Sequence, residues 1–140
     1  MSEQNEQVVL KFIEAFAAGD SAAAEPLLDP EAVTHAMGYT KFAGARDRSV
    51  ILGTTDAIKA LVPTGLRPQI KEVISSGDKV VVEWEGDGET VEGKPYRNQY
   101  CMVFTLKDGK VKQVKEYFCT IHADEVLWPL VEKMMSQNTG

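Results

Sequence analysis

Between residues 69 and 121 the chain reads almost wholly as strand. Four runs, residues 69–75, 79–90, 96–107 and 110–121, are rich in β-branched and aromatic residues, and the turn signals SSGD, EGK and KDGK separate them. Connections this short join neighbouring strands antiparallel, so the segment predicts an antiparallel meander with one apolar face to cover.

The covering elements precede it. Residues 3–18 place Val9, Phe12, Ile13, Phe16 and Ala17 at the i, i+3, i+4, i+7 spacing of an amphipathic helix that Gly19 stops. Asp20 can cap a short helix over residues 21–28, restricted by Pro26, and residues 32–37 read as a short strand. Thr54 or Thr55 can cap a helix through Leu61, ending before Pro63. Residues 123–136 are helical with a break or kink at Pro129, and Asp124 and Glu125 suit the first turn. The predicted class is α+β: a curved antiparallel sheet wrapped by N-terminal helices into a cone with one internal pocket, plus a C-terminal helix.

The size of 140 residues suits one domain over residues 1–140. A formal charge of -6 has the wrong sign for binding by phosphate neutralisation, so no nucleic-acid partner is expected. The longest apolar runs, such as Val80 to Val82, fall far below the roughly 20 residues that cross a bilayer, so no membrane partner is expected either. The opening MSEQNEQ has no basic region followed by an apolar stretch, and a cytoplasmic address is expected.

The turn at Asp108-Gly109 leaves two registers open. A two-residue type I′ turn sets Lys107 opposite Lys110 and Asn98 opposite Cys119; a three-residue turn with a glycine bulge pairs Leu106 with Lys110 and Asn98 with Phe118. Tyr96, Asn98, Tyr100, Met102, Phe104 and Leu106 share the more apolar face of their strand, which should look inward. The first register aligns Val111, Gln113, Lys115, Tyr117 and Cys119 with that face; the second aligns Lys112, Val114, Glu116, Phe118 and Thr120. In both, Cys101 and Cys119 are too far out of alignment for a disulfide.

A carboxyl on the inward face would resist ionisation and exchange protons near neutral pH, which is general acid–base chemistry. On the outer face Glu116 would merely pair with a lysine such as Lys112 or Lys115. Tyr100 and Asn98 are inward donors that could hold a carbonyl or enolate oxygen, or simply fill the core. Trp84 shares a face with Val80 and Val82 and reads as wall or core; Glu83 and Glu85 read as a solvated face. Residues 38–49 interleave Lys41, Arg46 and Arg48 with Tyr39 and Phe42, a loop able to cover a pocket. His35 and His122 lie far apart with no ligand-spaced partner, so no metal site is expected. Gly86-Asp87-Gly88 is not followed by a helix and is no phosphate loop.

The element order, with GKPYRNQY, DGKV and KEYFCT, resembles the SnoaL-like branch of the nuclear transport factor two-like, or ketosteroid isomerase-like, superfamily. The likeness covers nearly the whole chain, including the GD turn at Gly19-Asp20 and AVTHAMG. It implies a cone with one pocket, a homodimer packed sheet against sheet, no metal or redox cofactor, and isomerase, cyclase or dehydratase chemistry on a small hydrophobic molecule. It also favours the register that turns Glu116 inward, and gives His35 the place of a pocket histidine. The expected catalytic set is Glu116, His35, Tyr100 and Asn98, with Tyr39, Phe42, Trp84, Met102, Phe118 and Cys119 as ligand-contacting walls. One departure stands out: relatives often carry an aspartate where this chain has Cys119. That loss favours the alternative reading, a non-catalytic ligand-binding or dimerisation domain.

Overall fold

The computed structural model describes residues 2–139. Its first helix, α1 (Ser2–Ala18), buries Val9, Phe12 and Ile13. Phe12 meets Phe104 edge-on with ring centroids 6.0 Å apart, which seats the helix on the sheet. Asp20 then caps α2 (Ser21–Ala24), its side chain accepting from the Ala23 amide, and a 3-10 turn at Glu25–Leu27 leads into β1 (Leu28–Ala36). The strand begins four residues before its predicted start.

The loop after β1 contains a further short strand, β2 (Gly44–Asp47), paired antiparallel with β1. Helix α3 (Arg48–Leu61) follows at once. Its cap is Asp47, not Thr54 or Thr55: the Asp47 carboxylate accepts from the Val50 amide, and Thr55 instead lies buried within the helix, bonding back to the Ile51 carbonyl.

The meander is β3 (Gln69–Ser76), β4 (Lys79–Glu89), β5 (Pro95–Lys107) and β6 (Lys110–Phe118). The six strands form one unclosed sheet in the order β2-β1-β6-β5-β4-β3. Every pairing is antiparallel except β1 with β6, which run parallel. Irregularities in β1–β6, β3–β4 and β5–β6 bend the sheet around α1 and α3. The C-terminal segment divides into α4 (Thr120–Val126) and α5 (Trp128–Thr139) because Pro129 cannot extend the helix that precedes it. Among the described residues no helix is long and apolar enough to cross a membrane.

Gly88 closes the narrow end of the sheet. A Cβ there would stand 2.4 Å from the Gly65 carbonyl oxygen, so only glycine admits the 62–66 segment against β4. The approach is fixed by the Asp87 amide, which donates to the Leu66 carbonyl, and by Arg67, whose Nε donates to the Asp87 carbonyl. The GDG sequence is thus a packing device, and Leu66 is carried to the wall of the cavity.

Candidate active site

The β5–β6 hairpin has the turn of the first expected register and the inward facing of the second, but beyond the turn the pairing of neither: Phe118 stands opposite Tyr100, so Asn98 is paired with neither Cys119 nor Phe118. Asp108 and Gly109 have φ of 51° and 75°, and Lys107 pairs with Lys110, as a type I′ turn requires. One step on, Leu106 pairs with Val111 but Thr105 pairs with Gln113, so Lys112 is the extra residue of a bulge. The insertion flips the rest of β6. Val114, Glu116 and Phe118 come to face Phe104, Met102 and Tyr100, while Lys115 and Tyr117 turn outward.

These side chains open on a cavity of about 360 Å³ between the sheet, α1, α3 and α5. Phe12, Phe16, Leu66 and Met102 give it an apolar wall, and Phe42 and Trp128 close another side, edge to face at 5.2 Å. Among the described residues Glu116 is the single carboxyl on the lining, which also carries the charged side chains of Arg46 and Lys41. Among the described residues no hydrogen bond or ion pair engages the Glu116 carboxyl. Burial pushes it from the ordinary 4.5 up to about 7, against the opposing pull of the Arg46 guanidinium.

A second group of polar atoms forms a chain that starts at Tyr100, two residues along β5 from Met102, the strand partner of Glu116. The Asn98 amide donates from Nδ2 to the Tyr96 hydroxyl at 2.7 Å, and the Tyr96 and Tyr100 hydroxyls lie 3.2 Å apart. Both phenols reach the cavity. Because the Tyr96 oxygen already accepts from Asn98, its own proton is free for Tyr100, or it can accept a second bond and leave the order reversed. Burial raises the pKa of Tyr96, offset in part by its bonds to Tyr100 and Asn98. Burial raises Tyr100 well above the ordinary phenol value, reinforced by Tyr96 and Glu116. Both phenols therefore remain proton donors across the range in which Glu116 titrates.

Of the ten residues expected at the site, Glu116, Tyr100, Phe42, Met102 and Phe118 line the cavity. The other five stand elsewhere. Asn98 is buried at its edge, where Oδ1 accepts from the Cys119 amide and Nδ2 donates to the Cys119 carbonyl, so it braces the start of α4 and reaches the cavity only through Tyr96. Cys119 leaves β6 as the residue before α4, its side chain exposed on a polar cleft with Asn98 and His122. Trp84 is buried behind Tyr100, whose ring stacks on it at 4.1 Å. His35 falls on the wrong parity of β1: Thr34 and Ala36 point inward, so His35 lies on the outer side between Ala45 and Lys115. Tyr39 follows Gly38, whose φ of 84° turns the chain away, and its ring is fully exposed. Both cysteines are free thiols.

Sequence reasoning did not name Tyr96, Arg46, Lys41 or Trp128 as site residues, although it set Tyr96 on the inward face and Lys41 and Arg46 in a loop able to cover a pocket. Tyr96 was findable, since it shares the face of Asn98 and Tyr100. Arg46 is delivered by β2, a four-residue strand without alternating burial and so without a periodic signal.

Comparison with known proteins agrees with this geometry. The SnoaL-like domain model matches residues 9–114, and the chain belongs to that family. Among solved structures, Bal32a from a soil-derived mobile gene cassette is 26% identical with a TM-score of 0.77, covering 89% of this chain and 97% of that one. A proposed isomerase from Bacillus subtilis is 22% identical, with a TM-score of 0.77 and 89% and 92% coverage. IdmH, a proposed polyketide cyclase from Streptomyces antibioticus, is 20% identical, with a TM-score of 0.71 and 85% and 94% coverage. The latter two likenesses define the fold alone. No curated protein matches the chain.

Proposed function

We propose that the protein catalyses proton transfer on a small, hydrophobic, carbonyl-bearing molecule, in a reaction of the isomerase, cyclase or dehydratase type, using its own side chains. The observation that carries this reading is Glu116: a carboxyl in an apolar cavity, free of hydrogen bonds and ion pairs among the described residues, and half-ionised near neutral pH. Ionised Glu116 removes a proton from carbon next to the carbonyl, and the electron pair moves onto the carbonyl oxygen. Tyr100, with Tyr96 and Asn98 behind it, donates a hydrogen bond to that oxygen. Protonated Glu116 then returns the proton to the same or a conjugated carbon. Relatives of the same fold described as a proposed isomerase and a proposed polyketide cyclase lend this support.

Deuterium incorporation tests it directly. A panel of small cyclic enones and β-diketones is incubated with the protein in heavy water, and exchange next to the carbonyl is followed by NMR. Exchange above background that Glu116→Gln abolishes, in a variant with an unchanged folded spectrum, is the expected result; equal exchange by both proteins would remove Glu116 from the chemistry.

A second reading, ligand binding without turnover, draws on the lining itself, which among the described residues holds one carboxyl and no histidine. Exchange absent across the whole panel, with ligands bound, would favour it. In either case we propose a homodimer through the outer sheet face, where Ile74, Val81, Val103, Cys101 and Tyr117 form an apolar strip. The two free thiols suit a reducing, cytoplasmic setting.

A further inference from the structure

The charge on the cavity wall runs opposite to that of the protein. The chain has a formal charge of -6, yet its cavity is lined by Arg46, Lys41 and one carboxyl that burial keeps partly neutral. Among the described residues neither Arg46 nor Lys41 forms an ion pair, and what sets them apart from the other unpaired cations is their place on the lining of an otherwise apolar cavity.

Their surroundings hold them in place without neutralising them. Arg46 is half-buried, and one of its terminal nitrogens donates to the Phe42 carbonyl at 2.7 Å, which fixes the guanidinium and leaves most of its donors unused. Lys41 is anchored by its backbone: its amide donates to both oxygens of Asp124, and Thr40 donates its hydroxyl to the same carboxylate. Asp124 is thus committed to the loop backbone and does not line the cavity. Asp47, next to Arg46, is committed to the Val50 amide and the Ser49 hydroxyl. His35 and Lys115 lie across the sheet on its outer side. Among the described residues, the charged groups that face the cavity are therefore Arg46, Lys41 and Glu116, beside the phenols of Tyr96 and Tyr100.

We infer that the ligand of this cavity is an amphipathic acid, whose carboxylate is held by Arg46 and Lys41 while its hydrocarbon part lies against Phe12, Phe16, Leu66 and Met102. The planar guanidinium matches a carboxylate in two parallel hydrogen bonds, and the lysine adds a mobile second charge. Arg46 and Lys41 are binding residues here and select the substrate; Glu116 acts on a carbonyl further along the same molecule. The inference rests on the cavity being the ligand site, as the proposed function takes it to be, and not on proton transfer.

The placement of Glu116 adds a pH dependence. An anion beside Arg46 cancels the influence that favours ionised Glu116, so binding takes up a proton near neutral pH. Affinity for the acid then falls as pH rises through about 7.

Calorimetric titration with 2-naphthylacetate and its neutral isostere 2-naphthylacetamide tests this. The acid should bind about tenfold more tightly than the amide below pH 7, the size of a charge-assisted hydrogen bond. In Arg46→Met/Lys41→Met that preference should vanish while amide affinity is retained, and in Glu116→Gln the pH dependence of acid binding should flatten. Amide binding equal to or better than acid binding in the native protein would overturn the inference alone, as would a preference that survives the double substitution. Failure of both probes to bind would overturn the inference together with the use of the cavity as a ligand site.

Discussion

Met102 stands directly across the β5–β6 ladder from Glu116, so the strand partner of the cavity carboxyl is a thioether that offers neither charge nor hydrogen bond. The carboxyl consequently has a pH dependence of the opposite sign to that of an ion-paired acid. Its folded pKa of about 7 exceeds the ordinary 4.5, so the folded protein holds this proton more tightly than the unfolded chain. The contribution is fully present below pH 4.5 and is lost as pH rises through about 7. Glu116→Gln should therefore match the native protein near pH 4.5 and exceed its stability at pH 8 by about 3 kcal/mol. Urea unfolding at the two pH values measures it, and a difference independent of pH would show that the carboxyl is solvated.

Asn98 carries more hydrogen bonds than its position in a strand suggests. It serves the Cys119 amide, the Cys119 carbonyl, the Tyr96 hydroxyl and the Gln99 amide, and it is buried. Asn98→Ala leaves several of these groups without a partner, at a cost of about 1–3 kcal/mol for each buried group left unsatisfied. Asn98→Asp should retain the Cys119 amide bond but lose both donated ones. The expected order of thermal stability is native, then Asp, then Ala, and hydrogen exchange in α4 should accelerate in the same order.

The meander, the amphipathic first helix and the α+β layering were legible because each rests on local periodicity or turn chemistry. The inward facing of Glu116 on β6 came only through the family resemblance and not from the local pattern, since the decisive element is one bulge at Lys112 that no residue type marks. The misplacement of His35 is a related failure: the face of a short strand depends on which residue is its first inward one, and β1 pairs on both sides with strands that fix this only in the folded sheet. The cavity's basic side was hidden for another reason. Lys41 and Arg46 were visible as charges in a polar loop, but the path of that loop is set by Asp124, more than eighty positions away from Lys41 in sequence.

That long-range tie makes the 38–43 segment testable by itself. Asp124 holds Thr40 and Lys41, and through them the approach of Phe42 to Trp128. Asp124→Ala removes all of these hydrogen bonds and should free the loop with little effect on the sheet. Limited trypsin digestion at Lys41 should quicken by an order of magnitude or more, while the urea midpoint changes little. Cleavage as slow as in the native protein would show that Phe42 and Trp128 hold the loop without the carboxylate.

Two glycines should respond in opposite directions to the same methyl group. Gly53 lies inside α3, where an added Cβ meets nothing within 4 Å, so Gly53→Ala supplies helix propensity at no steric cost and should stabilise the protein by about 0.5–1 kcal/mol. At Gly88 the same methyl would lie 2.4 Å from the Gly65 carbonyl oxygen and 2.7 Å from a Val62 methyl. The first of these is backbone and cannot rotate away, so Gly88→Ala must push the 62–66 segment off β4, break the Asp87–Leu66 hydrogen bond and shift Leu66 on the cavity wall. A loss of about 3 kcal/mol or more, or failure to accumulate folded protein, is expected, whereas Gly53→Ala should raise the urea midpoint. Equal, mild effects at both positions would mean that the 62–66 segment does not pack against β4 as closely as its amide–carbonyl contact requires.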